Sequence, residues 1–156
     1  SSYGDIVYEG AVVQKLVKSP ADIVLGCDTA WRRRYVGRTQ HPETDAEKLR
    51  ADAKRVVELS RTIPSEQAQG EFIGVMKMSP AGSADFMQAF AQAERAYGGG
   101  QYREGRSFQK AYVIDLLAEM LEQGVTMERE DTRGGYMEID TLQDLSMSEQ
   151  WWKERP

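Results

Sequence analysis

The chain has 156 residues, 40% of them hydrophobic, and 25 acidic against 20 basic residues give a net charge of -5. That length and apolar content support one globular domain with a sizeable core. No segment has the roughly 18 consecutive apolar residues that a membrane-spanning helix needs, and the acidic balance argues against a general nucleic-acid binder.

"SSYGDIVYEG" has neither the charged nor the apolar segment of a signal peptide and reads as the tail of a strand entering a turn, with Asp5 after that strand. "GAVVQKLVKS" (10 to 19) has apolar residues at helical spacing, Pro20 follows, and "DIVLGCD" (22 to 28) is a short buried-type strand, so the opening predicts a βαβ unit. Cys27, the lone cysteine, cannot form an internal disulfide and reads as a small buried hydrophobe; a reducing, cytoplasmic location is expected.

"DTAWRRRYVGRTQHP" (28 to 42) places Trp31, Arg32, Arg33, Arg34, Tyr35, Arg38 and His41 in one loop. Arginine forks grip phosphate or phosphonate oxygens bidentately, although each arginine taken singly also fits a solvated surface loop. His41 has no cysteine or second histidine for a transition-metal site and reads as a hydrogen-bonding loop residue. Residues 43 to 62 stay open between two readings: Ala46, Leu49, Ala53, Val56 and Val57 form a helical stripe, yet "EKLRA" and "RVVEL" around "DAK" also make a hairpin.

"EFIGVMKMS" (71 to 79) predicts a strand, and residues 80 to 100 predict a helix opened by Pro80 and closed by glycines. "YGGGQYREGRS" (97 to 107) is the most flexible-looking connection. Residues 108 to 124 predict a third helix, 125 to 130 a strand, and Thr141 opens a last helix through Trp151 and Trp152. In "GGYMEID", Glu138 and Asp140 stand two apart, so an extended backbone aims both carboxylates to one face; a divalent cation, a shared proton or plain exposure would each explain the pair. Strands alternating with helices imply an α/β sheet with sites at strand carboxyl ends, where Asp5, Asp28 with the arginine loop, "GEFIG" with Glu71, and Glu138 with Asp140 fall.

"YGDI", "SPADIVLGCDTAWRRRYVGRTQHP", "GEFIGVMKMSP", "FQKAYVIDLL" and "GGYMEIDTLQDL", in that order, resemble the nucleotidyltransferase domain fused to or found beside phosphoenolpyruvate mutases. More broadly the chain resembles cytidylyltransferases that activate phosphonates or phosphocholine, within the nucleotide-sugar pyrophosphorylase superfamily. The resemblance implies a Rossmann-like mixed α/β sheet flanked by helices, with a β-hairpin arm at residues 43 to 62, against the helical stripe. It implies Mg²⁺ held by Asp5 and Asp140, with Glu138 acting through water or orienting the acceptor.

The implied reaction moves CMP from CTP to a small phosphonate, 2-hydroxyethylphosphonate or 2-aminoethylphosphonate, with release of pyrophosphate. Phosphocholine or a sugar phosphate is the alternative acceptor, and a non-catalytic acceptor-binding or dimerisation module is the alternative function. Lys110 matches a position near the acceptor, and equally fits a surface lysine at a helix start. Asp28, Trp31, Arg32, Arg38, Glu71, Tyr112, Tyr136 and Glu138 form the expected substrate-binding set; Trp31, Tyr112 and Tyr136 of it, with Tyr35, would supply an aromatic cage for a choline head group. The family's Gly-rich phosphate loop has no counterpart in these residues. The chain is therefore expected to be the acceptor- and metal-binding part of one nucleotidyltransferase domain, inactive alone, with an upstream segment holding CTP. A fused mutase domain and a homodimer stay open as partners.

Overall fold

The computed structural model describes residues 1 to 154. Seven strands and five helices follow one another as β1 (Ile6–Tyr8), α1 (Gly10–Lys18), β2 (Ile23–Asp28), α2 (Arg32–Tyr35), β3 (Lys48–Asp52), β4 (Arg55–Ser60), β5 (Gly70–Met78), α3 (Pro80–Tyr97), α4 (Val113–Glu122), β6 (Glu128–Thr132), β7 (Tyr136–Glu138) and α5 (Leu142–Lys153). The order β2-β5-β3-β4-β6 closes on itself into a ring, with β2 antiparallel to β5 and parallel to β6. A single residue pair, Arg55 with Glu128, joins β4 to β6. Strands β1 and β7 form a separate antiparallel pair.

Side-chain alternation along β2 divides the core in two. Ile23, Leu25 and Cys27 pack with Leu49, Phe72, Met76, Ala93, Ile114 and Leu117 against α3 and α4, whereas Val24 faces Val12 and Leu16 of α1 together with Ile73, Val75 and Tyr136. Every residue of β2 is buried, as a strand covered on both faces requires.

Residues 43 to 62 form the hairpin, not the helix their stripe suggested. Leu49, Val56 and Leu59 reach the core, Ala53 sits in the two-residue turn at φ 51°, and Val57 is exposed. Of the stripe, only Leu49 and Val56 are inward positions of the two strands. The βαβ reading of the opening is corrected: β1 pairs with β7 and not with β2, so α1 connects two different sheets. Asp5 precedes β1 instead of following a strand. The arginine-rich loop contains the short helix α2, and the strand placed at 125 to 130 runs from Glu128 to Thr132.

Two backbone features shape the cavity described next. Between Leu25 and Cys27 the β2–β5 register shifts, so residues 73 to 75 bulge opposite Gly26. Gly74 lies there at φ +66°, and the Tyr3 ring and Ile6 occupy the space a Cβ would need. The Tyr3 N–H donates to the Gly74 carbonyl at 2.9 Å, which fixes the start of the chain on the bulge. Gly134 and Gly135, both at positive φ, turn the chain from β6 into β7.

Candidate active site

A cavity of about 370 Å³ opens where the β1–β7 pair meets the hairpin base and the first residues of β5. Asp5, Glu71, Tyr112, Tyr136, Glu138 and Asp140 of the expected set line it, together with Tyr3, His41, Asp45, Glu47 and Arg61. Carboxylates outnumber cations around its wall.

The acidic end is built by β1 and β7. Ile6 stands opposite Glu138, and the Asp5 carbonyl accepts the Ile139 N–H at 2.8 Å, so the strand pair brings Asp5 beside the E-x-D carboxylates. His41, Glu138 and Asp140 offer ligand atoms within 4.8 Å of one another. His41 Nδ1 lies 2.8 Å from Asp140 Oδ2 and 2.9 Å from Arg38 Nη2. Burial, then the Arg38 charge, push the imidazole below its usual pKa. Burial and the neighbouring Asp140 charge push the Glu138 carboxyl up to about 7. Asp5 lines the same cavity outside the three-residue cluster.

Behind this wall two buried ion-pair systems hold the geometry. Arg38 donates from Nε to Asp144 Oδ1 at 2.7 Å, both side chains fully buried, and Asp144 Oδ2 accepts from the Thr141 hydroxyl at 2.8 Å and the Thr141 N–H at 3.0 Å. Burial opposes ionisation of Asp144, but the Arg38 and Thr141 hydrogen bonds outweigh it and hold the carboxyl below its usual value. Because Thr141 caps α5 and its neighbour Asp140 reaches the cavity, this knot sets where Asp140 sits. In the second system the buried Glu71 carboxylate accepts from the Tyr35 hydroxyl at 2.5 Å, the Tyr136 hydroxyl at 2.7 Å and Arg34. Arg34 also lies 3.5 Å from Asp28 Oδ2 and over the Tyr136 ring at 3.8 Å. Asp28 is fully buried, and its Oδ1 accepts the Ala30 and Gly134 N–H groups. Glu71 and Asp28 stand opposite each other across β2 and β5, which is why the amino end of β5 shares an edge with the carboxyl end of β2.

The structure separates the remaining expected residues from the cavity. Trp31 is buried against Tyr35 and Ala46, and Arg32 reaches outward to the Ser65 carbonyl, 3.8 Å from Glu43. Both border a different hollow with Arg33 and Arg133. Arg38 is consumed by Asp144 and His41. Lys110 is exposed on a 3₁₀ turn and does not line the cavity. Trp31 thus stands apart from Tyr112 and Tyr136 in the proposed aromatic cage.

Sequence reasoning passed over Tyr3, Glu47 and Arg61, and set His41 aside. The Tyr3 hydroxyl donates to Glu47 at 2.9 Å, and Arg61 pairs with Asp45 at 2.9 Å and lies over the Tyr112 ring at 5.0 Å. Burial raises the Glu47 carboxyl to about 8. The one available signal for His41 was its place as the sole histidine within the arginine segment.

No protein-family model matches the chain. Over 147 residues it is 24% identical to CTP:phosphoglutamine cytidylyltransferase of Campylobacter jejuni, a match covering 94% of this chain and 56% of that protein. Among solved structures it is similar to the inositol-1-phosphate CTP transferase of T. maritima, with TM-score 0.62 and 19% identity over 97% of this chain and 54% of the other. A nucleoside-diphosphate-sugar pyrophosphorylase of Vibrio cholerae RC9 superposes with TM-score 0.54 at 12% identity, over 92% of this chain and 52% of that one. The fold is similar to about half of each of these solved structures. The expected mixed α/β architecture is met, and the chain spans about half the length of the relatives it matches. No helix among the described residues is long and apolar enough to cross a membrane.

Proposed function

We propose that residues 1 to 156 form the acceptor- and metal-binding part of a cytidylyltransferase that moves CMP from CTP to a small phosphonate or phosphate acceptor, releasing pyrophosphate. The observation that carries this reading is the meeting of Glu138, Asp140 and His41 ligand atoms within 4.8 Å, on a cavity that Asp5 also lines, in a fold shared with nucleotidyltransferases. The relative named for CTP-dependent cytidylyl transfer supports the donor. A phosphonate acceptor, supplied by a phosphoenolpyruvate mutase fused or separate, follows the sequence resemblance.

The carboxylates fit Mg²⁺. Glu138 and Asp140 supply hard oxygen donors, Asp5 lines the same cavity, and a cation would offset the burial and the Asp140 charge that push the Glu138 carboxyl up to about 7. When bound, the ion would act as a Lewis acid that neutralises charge developing on the phosphates. The protein's own residues do the rest. Arg38 and Asp144 lock the α5 N-terminus so that Asp140 keeps its position, and His41, held neutral by burial and Arg38, withholds a competing positive charge from the carboxylates. The Glu71 network fixes the Tyr136 hydroxyl in the cavity wall. Such chemistry asks mainly for positioning and charge matching, and no covalent enzyme intermediate is required.

The test is phosphorus NMR of the protein at its natural length with CTP, Mg²⁺ and 2-aminoethylphosphonate, 2-hydroxyethylphosphonate or phosphocholine. Growth of pyrophosphate together with a CMP-acceptor anhydride signal is the expected result. CTP persisting unchanged with every acceptor would remove the reading.

A further inference from the structure

The hollow that Trp31 and Arg32 border has a wall opposite in sign to that of the cavity. Arg32, Arg33 and Arg133 line it with Thr29 and Gln69, around a volume of about 470 Å³, and no carboxylate joins them although the chain's net charge is -5. Arg32 is engaged: it donates to the Ser65 carbonyl, lies 3.8 Å from Glu43 and stands over the Trp31 ring at 5.3 Å. Arg33 and Arg133 are not. Both are exposed, and among the described residues neither guanidinium has a hydrogen-bond or ion-pair partner, whereas Arg34 and Arg38 of the same loop are each held by a carboxylate. Gln69 adds neutral donors, because its Oε1 accepts the Ala51 N–H at 2.5 Å and its Nε2 has no partner among the described residues.

Two segments far apart in sequence bring these arginines to one wall, and a buried carboxylate ties the segments together. Arg33 belongs to α2, and Arg133 to the turn from β6 into β7. Asp28 Oδ1 accepts the Ala30 N–H at 2.8 Å and the Gly134 N–H at 3.0 Å, while the Thr132 carbonyl accepts the Thr29 N–H at 3.1 Å and the Thr29 hydroxyl at 3.0 Å. These hydrogen bonds fix the two backbones against each other, so the bases of both arginines keep their spacing. Like charges on one wall repel, and an anion that both can grip relieves the repulsion. A carboxylate, with two oxygens and a single charge, fills one guanidinium fork; a phosphate group, with three acceptor oxygens and nearly two charges, can answer both. We propose that this hollow is a second anion site, which takes a phosphate or diphosphate group between Arg33 and Arg133 with the Gln69 amide as a further donor. It shares no lining residue with the carboxylate cavity, so the anion it holds is distinct from any acceptor bound there.

The experiment is calorimetric titration of pyrophosphate, inorganic phosphate, glycerol 3-phosphate and acetate into the protein at its natural length, at pH 8 and constant ionic strength. The buffer is free of divalent metal, so that the carboxylate cluster cannot recruit an anion through a cation. Saturable binding of the phosphate-bearing probes is expected, with acetate about tenfold or more weaker, the yield of one charge-assisted contact. Tighter binding of the two inorganic probes would mark a free ion as the occupant, and tighter binding of glycerol 3-phosphate an organic phosphate ester; either supports the site. Arg33→Gln and Arg133→Gln should each weaken the phosphate-bearing probes about tenfold, and Arg33→Lys and Arg133→Lys, which keep the charge without the fork, should lose part of that affinity. Lys110→Gln removes one exposed positive charge elsewhere and should leave the affinities unchanged. No saturable binding, acetate binding as tightly as phosphate, or an equal loss in Lys110→Gln would overturn the proposal. Binding that neither arginine variant weakens would also overturn it, by placing the anion elsewhere on the protein.

Discussion

Replacing Glu47 with glutamine should stabilise the ligand-free protein at alkaline pH and change little at acid pH. The carboxyl is raised from 4.5 to about 8 by burial and by the Glu138 charge, against the Tyr3 hydrogen bond and the Arg61 charge, which pull it down. Because the folded value lies above the unfolded one, the folded state binds the proton more tightly between those two pH values. Stability is therefore full below pH 4.5 and is lost as pH rises through 8. At about 1.4 kcal/mol per unit the shift would be worth up to about 5 kcal/mol; the side chain faces a cavity open to solvent, so screening cuts this to on the order of 2 kcal/mol. Glutamine keeps the shape and can still accept from the Tyr3 hydroxyl, so the substitution removes titration with little change in packing. Urea unfolding of both proteins at pH 5 and pH 9 measures the effect. The variant should match the wild type at pH 5 within about 0.5 kcal/mol and exceed it by roughly 2 kcal/mol at pH 9. An equal difference at both pH values, or a variant less stable at pH 9, would refute the assignment of a raised carboxyl to this position.

Arg38→Met leaves the fully buried Asp144 without its guanidinium and should cost about 3 to 5 kcal/mol in urea unfolding, far more than an anion-binding surface arginine would. Gly74→Ala meets both a φ of +66° and the Tyr3 ring, so a loss of about 1 to 3 kcal/mol is expected, read in the same assay. Lys110→Ala should leave CTP turnover within about twofold, because the residue is exposed and outside the cavity.

The sequence revealed most of the elements because their signals are local. Pro80 at the start of α3, Gly124 just after α4 and Thr141 before α5 each mark a boundary that the structure keeps. Pairing is not local, and there the reading failed: nothing in residues 1 to 28 announces that β1 will leave β2 for a partner about 130 residues away. The site divides on the same line. Glu138 and Asp140 were legible as a pair from their spacing, and Asp5 came from the family resemblance. The arginines looked alike in sequence, yet Arg34 and Arg38 turn inward to Glu71 and Asp144 while Arg32 turns outward, a difference set by carboxylates far along the chain. Glu47 and Arg61 were obscured because they lie in the segment whose periodicity leaned towards helix, with the hairpin taken from the family resemblance. Only the β3–β4 register places them on one wall.

The most direct measurement of the central claim is pyrophosphate release from CTP at saturating Mg²⁺ by the wild-type protein at its natural length and by its Asp140→Asn variant, with thermal unfolding recorded for both. The carboxylate cluster as metal seat predicts a loss of about a hundredfold or more in turnover, on the several kcal/mol that a Lewis acid contributes, with unfolding of the variant close to wild type. Turnover in Asp140→Asn within a few-fold of wild type would contradict the claim and move the reacting centre away from this cavity.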